Sequence, residues 1–236
     1  MNWFKNWFDS KYYHILYKKR DFQEATMLID NLLNRINPAE NSFFLDLGCG
    51  AGRHSIYLNK KGFYVDGVDL SKKSLKQAEE HQNEKLKFHL KDMRDFYFQN
   101  KYDIIINLFT SFGYFEDDED NKKVFSNVEK SLKINGYFII DFFNSYKIMR
   151  ELKDYETKKI DDVTFKIKRR QDGKFVYKDI SITDKKNSYT FTEKVRLIKQ
   201  RQFINYSKNL NMKLIDTFGD YQLNKYKEAY SDRLIM

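Results

Sequence analysis

Apolar and polar positions change rhythm twice along the chain. From Ser10 to Ile36, apolar residues recur at Tyr13, Leu16 and Tyr17, then at Ala25, Leu28, Ile29, Leu32 and Leu33, a period near 3.6 that predicts a helix. Asn37-Pro38 ends it, because the residue before proline resists the helical region. Short apolar runs then alternate with helical patterns. Phe43–Leu47 predicts a strand and the stretch from about Arg53 to Gly62 a helix; Tyr64–Asp69 is a second strand, after which Ser71 caps a helix over Lys72–His81. Lys87–Leu90 and Tyr102–Asn107 are the third and fourth strands, the Ile-Ile-Ile run of the latter suiting burial on both faces. A helix over Asp117–Lys133 carries acids in its first turn and lysine near its end, Gly136 is expected to stop it in a left-handed conformation, and Tyr137–Asp141 is the fifth strand. Strands alternating with helices predict an α/β fold with a doubly wound, mostly parallel sheet.

After Ser145 the period falls to two. Val163, Phe165 and Ile167 alternate with Thr164, Lys166 and Lys168; Asp172-Gly173 is a hairpin turn; Phe175–Thr183 follows; and Tyr189, Phe191, Val195 and Leu197 alternate with polar residues. A small antiparallel β insert over 151–200, apolar on one face and basic on the other, divides a domain made of 1–150 and 201–236. The wound pattern then resumes with a helix over Gln202–Leu210 and strands at Met212–Tyr221 and Ser231–Met236, which bring the main sheet to seven strands.

Composition sharpens this outline. In 236 residues, 41% are apolar and 17% aromatic, so 21 Phe and 17 Tyr must supply much of the burial, and tyrosine tips suit a half-wet cavity. The single cysteine, Cys49, excludes a disulfide framework and a multi-cysteine zinc site. Polar residues interrupt Trp3, Phe4, Trp7 and Phe8, and no run of 18 apolar residues exists, so neither a signal peptide nor a membrane span is expected, and a reducing cytoplasm is the expected location. The net charge is +9; between Lys158 and Arg201, 14 Lys or Arg stand against 6 Asp or Glu. The basic insert is either a solvated face or a site for an anionic partner.

The chemistry concentrates in Leu45-Asp46-Leu47-Gly48-Cys49-Gly50-Ala51-Gly52, directly after the first strand. Glycines there let the backbone turn tightly and approach a ligand, and the next helix points its amides into the crevice. Asp69 ends the second strand at a spacing that suits hydrogen bonds to ribose hydroxyls. The run Asp46-Leu47-Gly48-Cys49-Gly50-Ala51-Gly52 resembles the cofactor motif of class I (Rossmann-like) S-adenosylmethionine-dependent methyltransferases. The similarity continues through Val68-Asp69-Leu70-Ser71, Asp92-Met93 and Leu132-Lys133-Ile134-Asn135-Gly136. It implies S-adenosyl-L-methionine as cofactor, with Gly48, Gly50 and Gly52 around the methionine moiety and Asp69 on the ribose. Leu70 and Met93 would lie against adenine, Asp92 near its amine, and Asn107-Leu108 beside the sulfonium. Asp46, Cys49, Arg53 and Ser71 complete the implied set; Asp46 alternatively anchors backbone amides, and Cys49 lends only its backbone. The closing strands resemble the family's antiparallel end, and the opening helices, within 1–37, resemble a lid over the cofactor.

Methyl transfer chiefly asks that a nucleophile be aligned and water excluded. No Asn/Asp-Pro-Pro-Tyr sequence follows the fourth strand, which argues against methylation of base or glutamine amines, and the lack of a second cysteine excludes cysteine-dependent pyrimidine methylation. Phe109, Phe112 and Tyr114 are candidates for a substrate wall, Tyr17 and Arg20 for contacts from the lid, and His54 is either a base or a packed residue. The acid run Glu116–Asp120 lacks a histidine and starts a helix rather than a metal site. Four readings follow: a methyltransferase acting on a small-molecule acceptor beneath the insert; an enzyme of the same fold acting on RNA through the basic face; a nicotinamide-dependent oxidoreductase, which the spacing Gly48-Cys49-Gly50-Ala51-Gly52 disfavours; and a module that binds the cofactor without catalysis.

Overall fold

The computed structural model describes residues 3–18 and 22–236. Its elements run α1 (Trp3–Phe8), α2 (Lys11–Leu16), α3 (Phe22–Ile36), β1 (Phe43–Leu47), α4 (Arg53–Lys60), β2 (Tyr64–Asp69), α5 (Lys72–Glu79), β3 (Leu86–Leu90), β4 (Tyr102–Asn107), α6 (Asp118–Ser131), β5 (Leu132–Phe143), α7 (Ser145–Glu151), β6 (Tyr155–Ile160), β7 (Val163–Gln171), β8 (Phe175–Asp184), β9 (Asn187–Arg196), α8 (Gln200–Tyr206) and β10 (Arg233–Ile235).

The main sheet has the order β10-β5-β4-β1-β2-β3, parallel except for β10, which runs antiparallel to β5. Strand order reverses at β1, and the crevice opens there at the carboxyl edge. Alternation along the strands builds two cores. Phe44, Ile104 and Ile106 face one layer with Leu28, Ile29 and Leu58, while Leu45, Leu47 and Ile105 face the other with Phe112, Phe125, Phe142 and Phe203. The phenylalanines meet edge to face or tilted, as in the edge-to-face pair Phe142–Phe203 at 5.4 Å between centroids.

Four features differ from the sequence expectations. Among the described residues the main sheet holds six strands rather than seven, since Met212–Tyr221 forms no strand. β10 is three residues long and offers little outer edge: Phe218 donates to and accepts from Ile235 at 2.8 and 2.9 Å, and the preceding stretch is held by side chains such as Arg35–Asp216. Helix α6 ends at Ser131, and the left-handed residue is Asn135 (φ 63°); Gly136 is there for space, because a Cβ would stand 3.0 Å from the Asp103 and Lys133 carbonyl oxygens. The opening helical segment is broken, with Ser10 capping α2 by accepting from the Tyr13 N–H at 3.0 Å. Strand β6 was not signalled, its sequence Tyr-Glu-Thr-Lys-Lys-Ile lacking an apolar face.

The insert is a four-stranded antiparallel sheet of order β6-β7-β8-β9. Val163, Phe165, Ile167, Ile180 and Ile182 form a third core with Trp7, Tyr12 and Leu16, so the apolar face is covered by α1 and α2. Glu193 on the same face accepts from Trp7 Nε1 at 2.7 Å and from the Tyr17 hydroxyl at 2.6 Å, pinning both helices. Lys166 and Lys168 occupy the opposite, exposed face. Among the described residues, no helix is long and apolar enough to cross a membrane. Phe165 is fully buried; Phe165→Ala should therefore cost about 3–5 kcal/mol and make the α1–α2 segment the first site of limited proteolysis. Unchanged stability and cleavage pattern would show that the helices are held otherwise.

Candidate functional site

Strand β1 delivers the chain to a loop in which Gly48, Gly50 and Gly52 take φ of 81°, 56° and 77°. The loop lies low on the sheet: the Gly48 and Cys49 N–H groups donate to the Val68 carbonyl at 2.8 and 3.1 Å. At Gly48 a Cβ would sit 2.8 Å from Ser111 Cβ, whereas a Cβ on Gly50 would meet nothing within 4 Å, so the loop's outer edge borders open space. Gly67, inside β2, belongs to no motif in the sequence. A Cβ there would fall 2.5 Å from the Phe88 ring and 2.9 Å from Cys49 Sγ, the close approach that a glycine inside a strand signals.

Asp69, at the end of β2, joins the loop to the next helix. Its Oδ2 accepts from the Gly50 N–H and its Oδ1 from the Ser71 N–H, each at 2.8 Å. Burial pushes its carboxyl up from the usual range, and the Ser71 and Gly50 amides oppose that rise. Ser71 Oγ donates to Asp9 Oδ1 at 2.7 Å, so the segment between α1 and α2 is tied to the loop that follows Asp69.

Above the loop lies a cavity of about 600 Å³. Gly48, Cys49, Gly50, Asp69 and Ser71 line it, with apolar walls from Val68, Leu70, Met93 and Leu108. Phe8, Tyr13 and Tyr17 close it from the opening helices, and Phe109 and Tyr114 from the loop after β4. Asp69 is the one carboxylate among the described lining residues. Such a crevice, with a glycine turn on one side and a carboxylate on the other, suits an adenosine-type ligand. Residues 39–213 match the family model described as a methyltransferase domain.

The chain belongs to the class I methyltransferase family. It is similar to the protein YqeM of Bacillus subtilis (strain 168), 33% identical over 118 residues that make up 49% of this chain and 48% of that one. It is also similar to the dTDP-3-amino-3,4,6-trideoxy-alpha-D-glucopyranose N,N-dimethyltransferase of Streptomyces venezuelae, 28% identical over 118 residues, 50% of this chain and 48% of that one. The chain thus spans about half the length of the curated relatives it matches. Among solved structures, a S-adenosylmethionine-dependent methyltransferase from Clostridium acetobutylicum ATCC 824 superposes with a TM-score of 0.79 and 25% identity, covering 95% of this chain and 94% of that one. The nicotinamide reading of the glycine turn is set aside by this membership.

Within the methyltransferase fold, several candidate residues lie away from the cavity. Asp46 is buried beneath the loop and accepts from Ser55 Oγ at 2.7 Å, anchoring α4. Asp92 is held by a residue two positions on: its Oδ2 accepts from Arg94 Nη2 at 2.7 Å, and its Oδ1 from the Arg94 N–H and Nε at 2.8 and 3.1 Å. Asn107 ties β4 to β1 by donating to the Leu47 carbonyl at 2.6 Å. Phe112 is fully buried against Phe125 and Phe203 and is core. Tyr17, by contrast, stays in the cavity wall while turning its hydroxyl to the insert, between Glu193 and Lys178. Arg20 lies outside the described residues. Arg53 and His54 do line the cavity: the Arg53 guanidinium stands 4.6 Å above the Phe109 ring, and the His54 ring stacks on Phe109 at 5.1 Å. Burial raises the Cys49 thiol and so disfavours its thiolate form. The insert supplies no lining residue among those described; it acts on the cavity through α1 and α2.

The wall residues missed by sequence reading include Phe4 and Phe8, whose signal was a four-residue spacing in a segment judged only for membrane character. Lys91 and Ser111, also missed, carry no pattern of their own.

Burial pushes the Asp46 carboxyl up to about 6. A carboxyl raised on folding binds its proton more tightly in the native state, so its contribution is full below about pH 4 and is lost as pH rises through 6. The stability difference between wild type and Asp46→Asn, read from denaturant titrations, should therefore change by roughly 2–3 kcal/mol across that window, the other carboxyls titrating alike in both proteins. A constant difference would assign the loss to other groups.

Proposed function

We propose that the chain transfers a methyl group from S-adenosyl-L-methionine to the nitrogen of a small-molecule amine. The observation that carries this reading is the roofed cavity, with the open edge of the glycine loop and the Asp69 carboxylate in its wall. The residues present fit the cofactor. The Gly50 edge leaves room for the methionine portion, each Asp69 oxygen keeps a lone pair for a ribose hydroxyl, and Leu70 and Met93 offer apolar surface to adenine. When bound, the cofactor supplies a methyl group made electrophilic by its sulfonium.

The chain's own part is to hold, orient and keep dry. Phe8, Tyr13 and Tyr17 exclude water from above, and Phe109 and Tyr114 bound the space beside β4. A neutral amine already carries the lone pair that attacks, whereas a hydroxyl needs a base. Of the two histidines in the wall, His54 has its Nε2 engaged by Arg53 Nη2 at 3.4 Å; His14, whose buried Nε2 has no partner, is the group a hydroxyl acceptor would have to use. The amino-sugar N,N-dimethyltransferase among the relatives supports the same acceptor class.

The RNA reading is weakened by placement. Lys166 and Lys168 lie on the insert face opposite the one packed under α1 and α2, so a polyanion bound there would lie away from the cavity.

Calorimetric titration should show S-adenosylhomocysteine binding with no heat from NAD, and Asp69→Ala should weaken binding about 100-fold or more through loss of charged hydrogen bonds. Heat from NAD alone, or full affinity in Asp69→Ala, would overturn the cofactor assignment. Radiolabel from methyl-labelled S-adenosylmethionine should then enter small amines and amino sugars. Label recovered in bulk RNA, with binding that falls steeply with salt, would overturn the acceptor class.

A further inference from the structure

Strand β4 leads into a turn that nothing in its sequence marks. Phe109 and Thr110 both take left-handed conformations, φ 55° and 61°, although neither is a glycine, asparagine or aspartate. Two consecutive residues of this kind persist only where their surroundings hold them.

The surroundings come from the neighbouring strand β5 and the edge strand β10 beyond it. Asp141, fully buried on β5, accepts from the Phe109 N–H through Oδ2 at 2.7 Å, and its backbone carbonyl accepts from the Thr110 N–H at 3.0 Å. Arg233 on β10 donates through Nε to Asp141 Oδ1 at 2.8 Å and through Nη2 to Thr110 Oγ1 at 3.1 Å. The Tyr221 hydroxyl donates to Asp141 Oδ2 at 3.3 Å. A single carboxylate thus gathers one amide, one guanidinium and one phenol, and the guanidinium closes the ring on Thr110.

The product of this network is the position of one ring. Phe109 stands in the cavity wall with the Arg53 guanidinium 4.6 Å above it, the His54 ring stacked at 5.1 Å and the Tyr221 ring at 5.1 Å. In the order β2-β1-β4, Phe109 lies across the glycine loop from Asp69. If the donor's ribose is held at Asp69, the β4 side is left for the acceptor.

We propose that Phe109 is the specificity-determining residue on the acceptor side and that Asp141, balanced by Arg233, is its positioning residue. This rests on the methyltransferase reading of the cavity. The acceptor it fits presents an apolar face to the ring, as a sugar or a flat heterocycle does, with its amine at the edge.

Hydrogen exchange on the full chain tests the positioning without any ligand. Asp141→Asn should speed exchange of the Phe109 and Thr110 amides at least tenfold, while peptides over residues 48–52 exchange as in wild type and S-adenosylhomocysteine affinity stays within threefold. Arg233→Lys keeps the charge but cannot bridge Asp141 and Thr110 together; it should speed the same two amides, and it carries the comparison if Asp141→Asn does not fold. With an acceptor from the labelling screen, Asp141→Asn should lower kcat at least tenfold at unchanged KM for S-adenosylmethionine. Phe109→Leu should raise the acceptor KM at least fivefold and leave the Thr110 amide protected. Wild-type protection of both amides in a folded variant would overturn the proposal, as would loosening of 48–52 together with loss of S-adenosylhomocysteine affinity. Failure of the wild-type protein to bind S-adenosylhomocysteine is a different result and would instead remove the methyltransferase reading.

Discussion

Phe88, on β3, lies under both the glycine loop and β2. The two backbones above it descend to its ring only because Gly52 and Gly67 carry no side chain; a Cβ on either would stand 2.8 or 2.5 Å from the ring. This contact sets the height of the loop. At that height the Gly50 N–H meets Asp69, and the Gly48 N–H meets the Val68 carbonyl. The separation of loop from carboxylate, which decides what the crevice can hold, therefore follows from packing beneath the site.

Three buried or half-buried aspartates near the crevice have different environments and different uses. Asp46 accepts from the Ser55 hydroxyl, and burial lifts its carboxyl to about 6. Asp69 has two backbone amides and a cavity in front of it. Asp141 faces a guanidinium and binds the amide of Phe109. Burying a carboxylate is costly without partners, and each partner set fixes a different piece of chain: the base of α4, the glycine loop and the turn after β4.

What the sequence made legible was what rests on local pattern. The wound order, the glycine turn, Asp69 and the alternating insert depend on spacing within a few residues. What stayed hidden depends on pairing across the fold. Asp92 reads as a ligand-facing acid until Arg94 is seen to hold it, and Phe112 reads as a wall until the ring packs against Phe203. Asp141 closes a plain strand, and its importance lies with Arg233, 92 positions away. Tyr17 sits at helical spacing, but its hydroxyl is claimed by Glu193 from the insert. Asn135 rather than Gly136 takes the left-handed turn, because asparagine tolerates it and the crowding by Asp103 and Lys133 falls on the next residue.

The third core joins the beginning of the chain to strands made far later. Trp7, Tyr12 and Leu16 bury themselves on Phe165, Ile167, Ile180 and Ile182, and Trp7 bonds Glu193 at a separation of 186 residues. Chains emerge from synthesis amino terminus first, and contacts of long sequence separation are slow to close. The parallel strands β1 to β4 can assemble from the first 107 residues, while α1 and α2 wait with their aromatic face uncovered. The roof helices are therefore made well before the insert strands that seat them, and during that interval the crevice stands open above its glycine loop.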